Sequence, residues 1–311
     1  MKVIYNLNDF PSEVKSVLSI GMFDGVHKGH QQIIHEIKQH ATAELKSVVL
    51  TFWPHPKKIL STQAAPQLLS TLDERLSLLE KEGVDYVMVL PFTAALASLS
   101  AYAFVEDILI NKLNLHTIII GYDHKFGNDR KGDLIFLKSI APQFNFQVIE
   151  IPAQLIEQTA VSSTEIREAL THHNITEASL LLGHYYSIAG TVVKGRQLGR
   201  TLGYPTANLE IEAAEKLIPA NGIYAVWAEG SFGILPAMMS IGDNPTIEGA
   251  EHSIEAHVFD FKGDLYTQNL RVHFVDFLRE EIKFDGLDAL ISQLKVDEIN
   301  ARKILLNTPR P

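Results

Sequence analysis

The sequence of 311 residues contains no cysteine. Disulfide bonds, thiolate metal ligands and cysteine nucleophiles are therefore excluded. Long apolar runs are missing as well, since none approaches the roughly 20 residues needed to cross a bilayer. The first residues show neither the apolar stretch nor the small-residue cleavage site of a signal peptide. We therefore expect a soluble, cytoplasmic protein with no membrane partner.

Positively charged residues are outnumbered, since 27 Lys and Arg residues face 37 Asp and Glu residues and the formal net charge is −10. A nucleic-acid-binding domain usually presents a basic face, so we expect no nucleic-acid partner. A small anionic ligand needs only local positive charge, and Lys194, Arg196 and Arg200 form such a cluster. The pattern GxxxxGK[ST] does not occur either, which excludes a P-loop as the phosphate-binding element.

The first half of the chain alternates short apolar runs with amphipathic segments. One example is VLSIGMF (17–23), which is followed by a helical pattern over 30–45. Runs rich in Val, Ile and Leu that alternate with helices predict a parallel sheet covered on both faces. We therefore predict a Rossmann-like α/β domain over residues 1–182, with its ligands at the carboxyl ends of the strands.

The second half has a different pattern, in which short strands are separated by turn residues. One long helical segment follows them, at 288–306. This order predicts a small antiparallel β-barrel with a C-terminal helix, over residues 183–311.

The most informative stretch of the first half is GMFDGVHKGHQ (21–31), which joins a predicted strand to a predicted helix. The free N–H groups and the dipole of a helix N-terminus favour phosphate. His27 and His30 are three residues apart and share one helix face. There they can donate hydrogen bonds to charge that develops at an α-phosphate. A polar turn or a metal-binding pair is the alternative, although no third zinc ligand is evident.

The second half contains a strand that leads into a glycine-rich, basic loop, GTVVKGRQLGRTLGYPTANLEI (190–211). Thr206 and Asn208 follow it two residues apart, on one face of an extended strand. Their oxygens suit Mg²⁺ beside a phosphate. Glycine spacing alone is typical of any loop, and that remains the alternative.

A candidate base lies in SIEAHVFDF (253–261). Transfer of a phosphoryl group to an alcohol needs a group that takes the proton, and a carboxylate is a usual choice. Strand alternation places Glu255 on the face opposite Ile254 and Ala256. A glutamate that simply faces solvent is the alternative.

These stretches resemble the sequence blocks of bacterial bifunctional riboflavin kinase/FAD synthetases. GMFDGVHKGHQ is similar to the HxGH-type motif of nucleotidyltransferases, and GRQLGRTLGYPTAN is similar to the riboflavin kinase signature. Further blocks resemble the family in the same order along the chain: 51–60, 121–133, 161–170, 240–249 and 278–294. The resemblance therefore covers nearly the whole chain.

For the first domain, the resemblance implies adenylyl transfer from ATP to FMN, which yields FAD. His27, His30 and Arg167 are then the catalytic residues, and other residues bind ATP: Gly21, Phe23, Asp24, Gly29, Ser163 and Thr164. Flavin-binding candidates in this domain are Pro54, His55, Asp123, Phe126 and Asn128. An ordinary helix cap for the serines and a buried aromatic for Phe126 are the alternatives.

For the second domain, the resemblance implies phosphorylation of riboflavin by Mg²⁺-ATP with Glu255 as the base. Thr206 and Asn208 then lie at the magnesium ion and the ATP phosphates. The preceding loop closes over the nucleotide through Lys194, Gly195, Arg196, Gly199 and Gly203. Flavin-binding candidates here are Asn244, Arg279 and Phe284.

Two other functions are compatible with single motifs. An HxGH-type motif alone does not fix the acceptor, so the first domain could adenylylate another phosphate ester. A flavin-binding protein without turnover would bind the yellow cofactor but consume no ATP.

The ligands that the resemblance implies are riboflavin, FMN, FAD and ATP. The sequence does not determine the oligomeric state.

Overall fold

The computed structural model divides the chain into two compact units, Met1–Ser163 and Thr164–Pro311. It describes residues 1–60, 64–121, 124–128, 130–151, 161–195, 197, 199, 202–243 and 252–311. The division lies before the boundary at 182 that the sequence predicts. The intervening residues belong to the second unit, where the Leu170 carbonyl accepts a hydrogen bond from the N–H of Ala220. The predicted boundary stays a prediction.

The first unit is built on a six-stranded parallel sheet in the order β1-β4-β3-β2-β5-β6. The strands are β1 (Lys2–Ile4), β2 (Lys15–Ile20), β3 (Leu45–Trp53), β4 (Tyr86–Pro91), β5 (Leu115–Gly121) and β6 (Gln147–Ile151). The Rossmann-like prediction is confirmed.

Helices cover both faces of this sheet. They are α1 (Lys28–His40), α2 (Lys57–Leu60), α3 (Leu72–Lys81), α4 (Ala94–Ala97), α5 (Ala101–Ala103), a π-helical continuation at Phe104–Ile110, and α6 (Leu134–Phe144). Val17 packs in the core that α1 and α3 complete, whereas its neighbour Leu18 packs against the π-helix and α6. Helix α1 ends before the predicted limit of 45, because the Thr42 hydroxyl accepts hydrogen bonds from the N–H groups of Glu44 and Leu45. That turn leads directly into β3.

The second unit contains a closed antiparallel barrel in the order β10-β11-β8-β7-β12-β9, which confirms the second fold prediction. Its strands are β7 (Ser187–Val193), β8 (Ala207–Glu210), β9 (Gly222–Gly230), β10 (Gly233–Gly242), β11 (Ser253–Val258) and β12 (Asn269–Arg279). Helices α7 (Ser163–Thr171) and α8 (Ile175–Leu182) precede it, and α9 (Leu287–Leu306) follows.

Helix α9 is attached to the barrel by apolar packing and by an ion pair. Ala301 and Leu305 are buried in a cluster that includes Trp227 of β9. Arg279, at the end of β12, donates hydrogen bonds to the buried carboxylate of Asp297. Among the helices that the structure describes, none has the length and apolar character that a membrane span requires.

Candidate active sites

The turn after β2 has an unusual backbone. Phe23 and Val26 adopt left-handed conformations, with φ of 50° and 40°, and Gly25 lies between them at 74°. Such conformations are costly for a side chain with a Cβ, above all for a β-branched residue. Strain of this kind concentrates at functional sites. The turn redirects the chain so that α1 begins immediately after His27.

His27 and His30 lie together at the start of α1. Their rings are stacked with centroids 3.7 Å apart, and the Phe23 ring lies 5.0 Å from the His30 ring. Burial holds the pKa of His30 well below its usual range, and the nearby His27 and the positive charge of Arg75 lower it further. His30 is therefore neutral at physiological pH and can donate one ring N–H to a ligand.

Asp24 points into the protein, beneath the turn. Its carboxylate accepts hydrogen bonds from the N–H groups of Leu69 and Ser70, at 3.1 and 3.0 Å, and from the Ser70 hydroxyl. The same hydroxyl accepts a hydrogen bond from the N–H of Gly25. The Asp24 side chain thus fixes the turn from below, and its predicted part in ATP binding stays a prediction.

Arg75 is a component of this site that the motif analysis missed. It is fully buried on α3, 3.9 Å from an Asp24 oxygen, and it donates a 3.4 Å hydrogen bond to the hydroxyl of Thr51. Its guanidinium carbon lies 5.7 Å from the centre of the Trp53 ring. A signal was present in the sequence, because Arg75 interrupts the apolar stripe of its helix next to Leu76.

Several other predicted ATP-site residues border the turn. A Cβ added at Gly29 would lie 3.3 Å from the His27 ring, and one at Gly21 would lie 3.1 Å from the Phe23 ring. The hydroxyl of Ser163 lies 3.5 Å from the Asp24 carbonyl oxygen, to which it donates. Thr164 and Arg167 belong to the first two turns of the same helix, where Thr164 is exposed and Arg167 is half-buried.

The flavin-binding candidates of the first unit have mainly internal contacts. Phe126 packs against Phe104 and Phe136, with centroid distances of 5.5 and 6.4 Å. The Asn128 amide donates to the Ser98 carbonyl at 2.9 Å. These contacts are those of an aromatic residue at the edge of the core and of an anchored loop. The flavin roles of both residues stay predictions.

Two further flavin-binding candidates follow strand β3. Pro54 and His55 are half-buried, and His55 Nδ1 accepts a hydrogen bond from the N–H of Lys57 at 3.1 Å. Asp123 lies outside the described residues.

In the barrel, strand register brings the predicted kinase residues together. Asn208 of β8 is paired with Val193 of β7 on one side and with Glu255 of β11 on the other. Glu255 is half-buried on the face opposite the buried Ile254, as the alternation predicts. Its Oε2 accepts a 2.7 Å hydrogen bond from the hydroxyl of Thr206.

The carboxylate of Glu255 has a second hydroxyl donor, Ser253, at 3.1 Å from Oε1. Nearby, His257 Nδ1 donates to the carbonyl of Pro205 at 2.7 Å, since a carbonyl oxygen only accepts. The ring of the buried Tyr204 lies 5.1 Å from the His257 ring. Ser253 and His257 share the strand face of Glu255 and were not among the predicted site residues.

The loop after β7 lies directly on the Asn208 side chain. A Cβ added at Gly195 would clash with the side-chain amide of Asn208, and glycine permits this close approach. Further along, the Gly199 carbonyl accepts from the N–H of Tyr204, and Gly203 has a φ of 84°. Lys194 is exposed, and Arg196 lies outside the described residues.

Two of the remaining flavin candidates, Arg279 and Phe284, are at the end of β12 and beyond it. The guanidinium of Arg279 makes three hydrogen bonds to Asp297 and one to the carbonyl of Glu280. It also lies 5.7 Å from the centre of the Phe284 ring. Asn244 lies outside the described residues.

No group of three or more His, Cys, Asp or Glu side chains within the described ranges could hold a metal ion.

Comparison with protein families gives two matches. A family model described as FAD synthetase matches residues 10–165, and one described as riboflavin kinase matches residues 182–305. The chain is 36% identical over 302 residues to a bifunctional riboflavin kinase/FMN adenylyltransferase of Escherichia coli K12, with 96% of each chain covered. It is also 36% identical to a protein of the same description from Listeria monocytogenes, with 97% and 98% covered.

Among solved structures, the chain is similar to a crystal structure from Streptococcus pneumoniae, with a TM-score of 0.84 and 36% identity. The alignment covers 96% of this chain and 98% of the other. That protein is described as a macrolide-efflux protein, a description that differs from those of the curated relatives. The similarity supports the fold of both units.

Proposed function

This chain belongs to the family of bifunctional riboflavin kinases/FMN adenylyltransferases, and we propose that its two units divide the two reactions between them. The barrel unit phosphorylates riboflavin with ATP and releases FMN and ADP. The parallel-sheet unit transfers AMP from a second ATP to FMN and releases FAD and pyrophosphate. The observation that carries this assignment is the pair of family matches, one to each part of the chain.

In the kinase step, Glu255 is the base. Hydroxyl donors on both of its oxygens, Thr206 and Ser253, fix the orientation of the carboxylate. Each oxygen keeps a further lone pair, and one of these accepts the proton of the terminal hydroxyl of riboflavin. That hydroxyl oxygen then bonds to the γ-phosphorus of ATP, and the bond to the leaving ADP breaks.

Thr206 and Asn208 are the proposed ligands of the magnesium ion. The Thr206 hydroxyl donates its proton to Glu255, so its oxygen lone pairs remain available to a cation. The second proposed ligand is the side-chain amide oxygen of Asn208, whose amide group packs against Gly195. This donor set fits Mg²⁺, which usually has few protein ligands and shares the substrate phosphates. When bound, the ion neutralises phosphate charge.

The loop before these residues binds the ATP phosphates in this proposal. Its contacts come from Lys194, Gly195, Arg196, Gly199 and Gly203.

In the adenylyl step, the N-terminus of α1 and the two histidines receive the ATP phosphates. The nucleophile is a phosphate oxygen of FMN, which is already anionic, so no protein base is needed to activate it. A ring N–H of the neutral His30 and one of His27 donate to the oxygens of the α-phosphate. Ser163 lies beside the turn. Thr164 and Arg167 keep their predicted parts in ATP binding and catalysis.

The residues proposed to bind the flavin mainly contact other protein groups in the structure. Pro54, His55, Asp123, Phe126 and Asn128 serve the first unit, and Asn244, Arg279 and Phe284 serve the second. The Arg279 guanidinium is hydrogen-bonded to Asp297, and we therefore propose that Arg279 acts by supporting the Phe284 ring. Both steps consume ATP, and we therefore place the protein in the cytoplasm.

The test is a time course with purified protein, riboflavin, ATP and Mg²⁺, in which the flavins are separated by chromatography. We expect FMN to rise first and FAD to follow, with no product when a chelator removes the divalent ion. FMN without FAD would refute the adenylyl half of the proposal. Bound flavin with no ATP consumed would favour the binding protein without turnover.

A further inference from the structure

We propose that Arg75 is a positioning residue for adenylyl transfer. It holds the strained turn at residues 22–26 in the shape that receives the ATP phosphates, and it cancels the buried charge of Asp24. This inference rests on the proposed adenylyl transfer in the first unit.

The first observation is that Arg75 connects two sides of the turn. The Thr51 hydroxyl donates to the carbonyl of Met22 at 3.1 Å and accepts from Arg75 Nη1 at 3.4 Å. On the other side, Arg75 Nη2 lies 3.9 Å from Asp24 Oδ1. The guanidinium is therefore in contact with groups that fix the residues just before and within the left-handed segment.

The second observation is the charge of a side chain that is fully buried. Within the described part of the chain, Arg75 Nε and Nη2 make no hydrogen bond. Burial of such a group is costly, and a leucine would fill the same stripe of α3 at no electrostatic cost. What an apolar residue would not supply is a positive charge next to Asp24.

That charge matters because of where Asp24 lies. Without Arg75, a buried carboxylate would remain directly under the turn that holds the polyphosphate. Charges repel strongly in the low-dielectric interior, so ATP would bind less well. Arg75 makes the base of the site neutral.

Arg75 also acts on His30. Two titratable or charged groups act on this ring, His27 at the N-cap of its helix and Arg75 from α3, and Asp24 lies 3.9 Å from Arg75 in turn. The positive charge of Arg75 disfavours protonation of the ring and lowers the pKa of His30. Removal of that charge is expected to raise it.

The experiment compares Arg75→Met and Arg75→Lys with the control Lys81→Met, which removes a positive charge from an exposed position on the same helix. The measurements are steady-state adenylylation of supplied FMN as ATP is varied, and an NMR titration of the His30 ring. We expect Arg75→Met to lower kcat/KM for ATP about a hundredfold, the usual scale for a misplaced reacting group. Arg75→Lys should recover part of the loss, and Lys81→Met should match the wild type.

The NMR titration separates charge from packing. The His30 midpoint should rise in Arg75→Met and stay low in Arg75→Lys and Lys81→Met. Equal behaviour of the Met and Lys variants, in kinetics and in titration, would overturn the proposal. Riboflavin phosphorylation by the same samples provides an internal control and should not change.

A further variant covers the case in which Arg75→Met does not fold. Arg75→Met combined with Asp24→Asn removes both buried charges, so it should fold and bind ATP more tightly than the single variant. No gain in ATP affinity over Arg75→Met, or over Arg75→Gln if the single Met variant is insoluble, would refute charge cancellation. If the wild type makes FMN but no FAD, the proposed adenylyl function fails, whatever Arg75 does.

Discussion

The two candidate sites, both proposed to bind ATP, are built by different physical means. The site of the first unit is a strained turn over a buried ion pair, at the N-terminus of a helix. The site of the second unit is a set of polar side chains on and beside two neighbouring strands, β8 and β11, with Gly195 of the preceding loop in contact with Asn208. In the first, backbone conformation does most of the positioning, and in the second, strand register does.

This difference follows from the chemistry of each step. Adenylyl transfer to FMN starts from an anionic nucleophile, so the protein only has to orient phosphates and stabilise their charge. Riboflavin offers a neutral hydroxyl, so the kinase site needs a carboxylate that can take a proton. Consistent with this, the first site presents a neutral imidazole, and the second presents the oriented carboxylate of Glu255.

The strongest way to test this contrast is to remove the base. We expect Glu255→Gln to lower the rate of FMN formation about 10³-fold, within the range measured for general bases. Adenylylation of supplied FMN should proceed as in the wild type. The matched control is Glu229→Gln, a half-buried glutamate on another barrel strand. A similar loss of both activities in Glu255→Gln would contradict the separation of the two sites.

The reciprocal test removes both histidines. We expect His27→Ala combined with His30→Ala to lower FAD formation from supplied FMN by about 10²- to 10³-fold, the scale for loss of transition-state hydrogen-bond donors. FMN formation should be unaffected, which the same chromatographic assay measures. An unchanged rate of FAD formation would show that the helix N-terminus alone performs the phosphate binding.

The fold could be predicted well from the sequence because buried elements have a clear spacing of apolar residues. Strand β5 is buried along nearly its whole length, and its residues 118–120 form an unbroken apolar run. In contrast, β1 was missed, because Lys2–Ile4 is a three-residue strand at the sheet edge. A pattern so short cannot be distinguished from a loop.

The sites could be predicted only where the chemistry lies within one motif. Alternation along β11 identified the face of Glu255, but its hydroxyl donor Thr206 is 49 residues away, and their contact depends on the pairing of β11 with β8. Arg75 was missed for the same reason, since its partner Asp24 is distant in sequence. Such contacts are determined by tertiary packing, which a local pattern does not contain.

A smaller effect is expected from the ion pair that attaches α9 to the barrel. Arg279→Met leaves the Asp297 carboxylate buried without its main partner, which is expected to cost about 3 kcal/mol of unfolding free energy. A thermal or urea unfolding experiment measures this loss. The control is Arg302→Met on α9, which pairs with the largely exposed Asp260 and with Glu298 of the same helix. Its effect should be much smaller because water screens such pairs. Equal losses would mean that α9 is attached by its apolar contacts alone.

The smallest expected effect concerns the protonation of His30, the buried histidine of the first site. Since the folded-state pKa of His30 is depressed, the unfolded chain takes up a proton at higher pH than the folded chain does. This residue therefore makes stability fall as the pH drops below about 6.5, by up to about 1.4 kcal/mol per pH unit, and contributes no slope above that value. We expect His30→Asn to remove this part of the slope in urea unfolding experiments between pH 5 and 8, and the exposed His35→Asn on the same helix to retain it. If the two variants had parallel curves over that range, the His30 ring would be titrating as an exposed histidine does, and the neutral imidazole proposed for adenylyl transfer would be wrong.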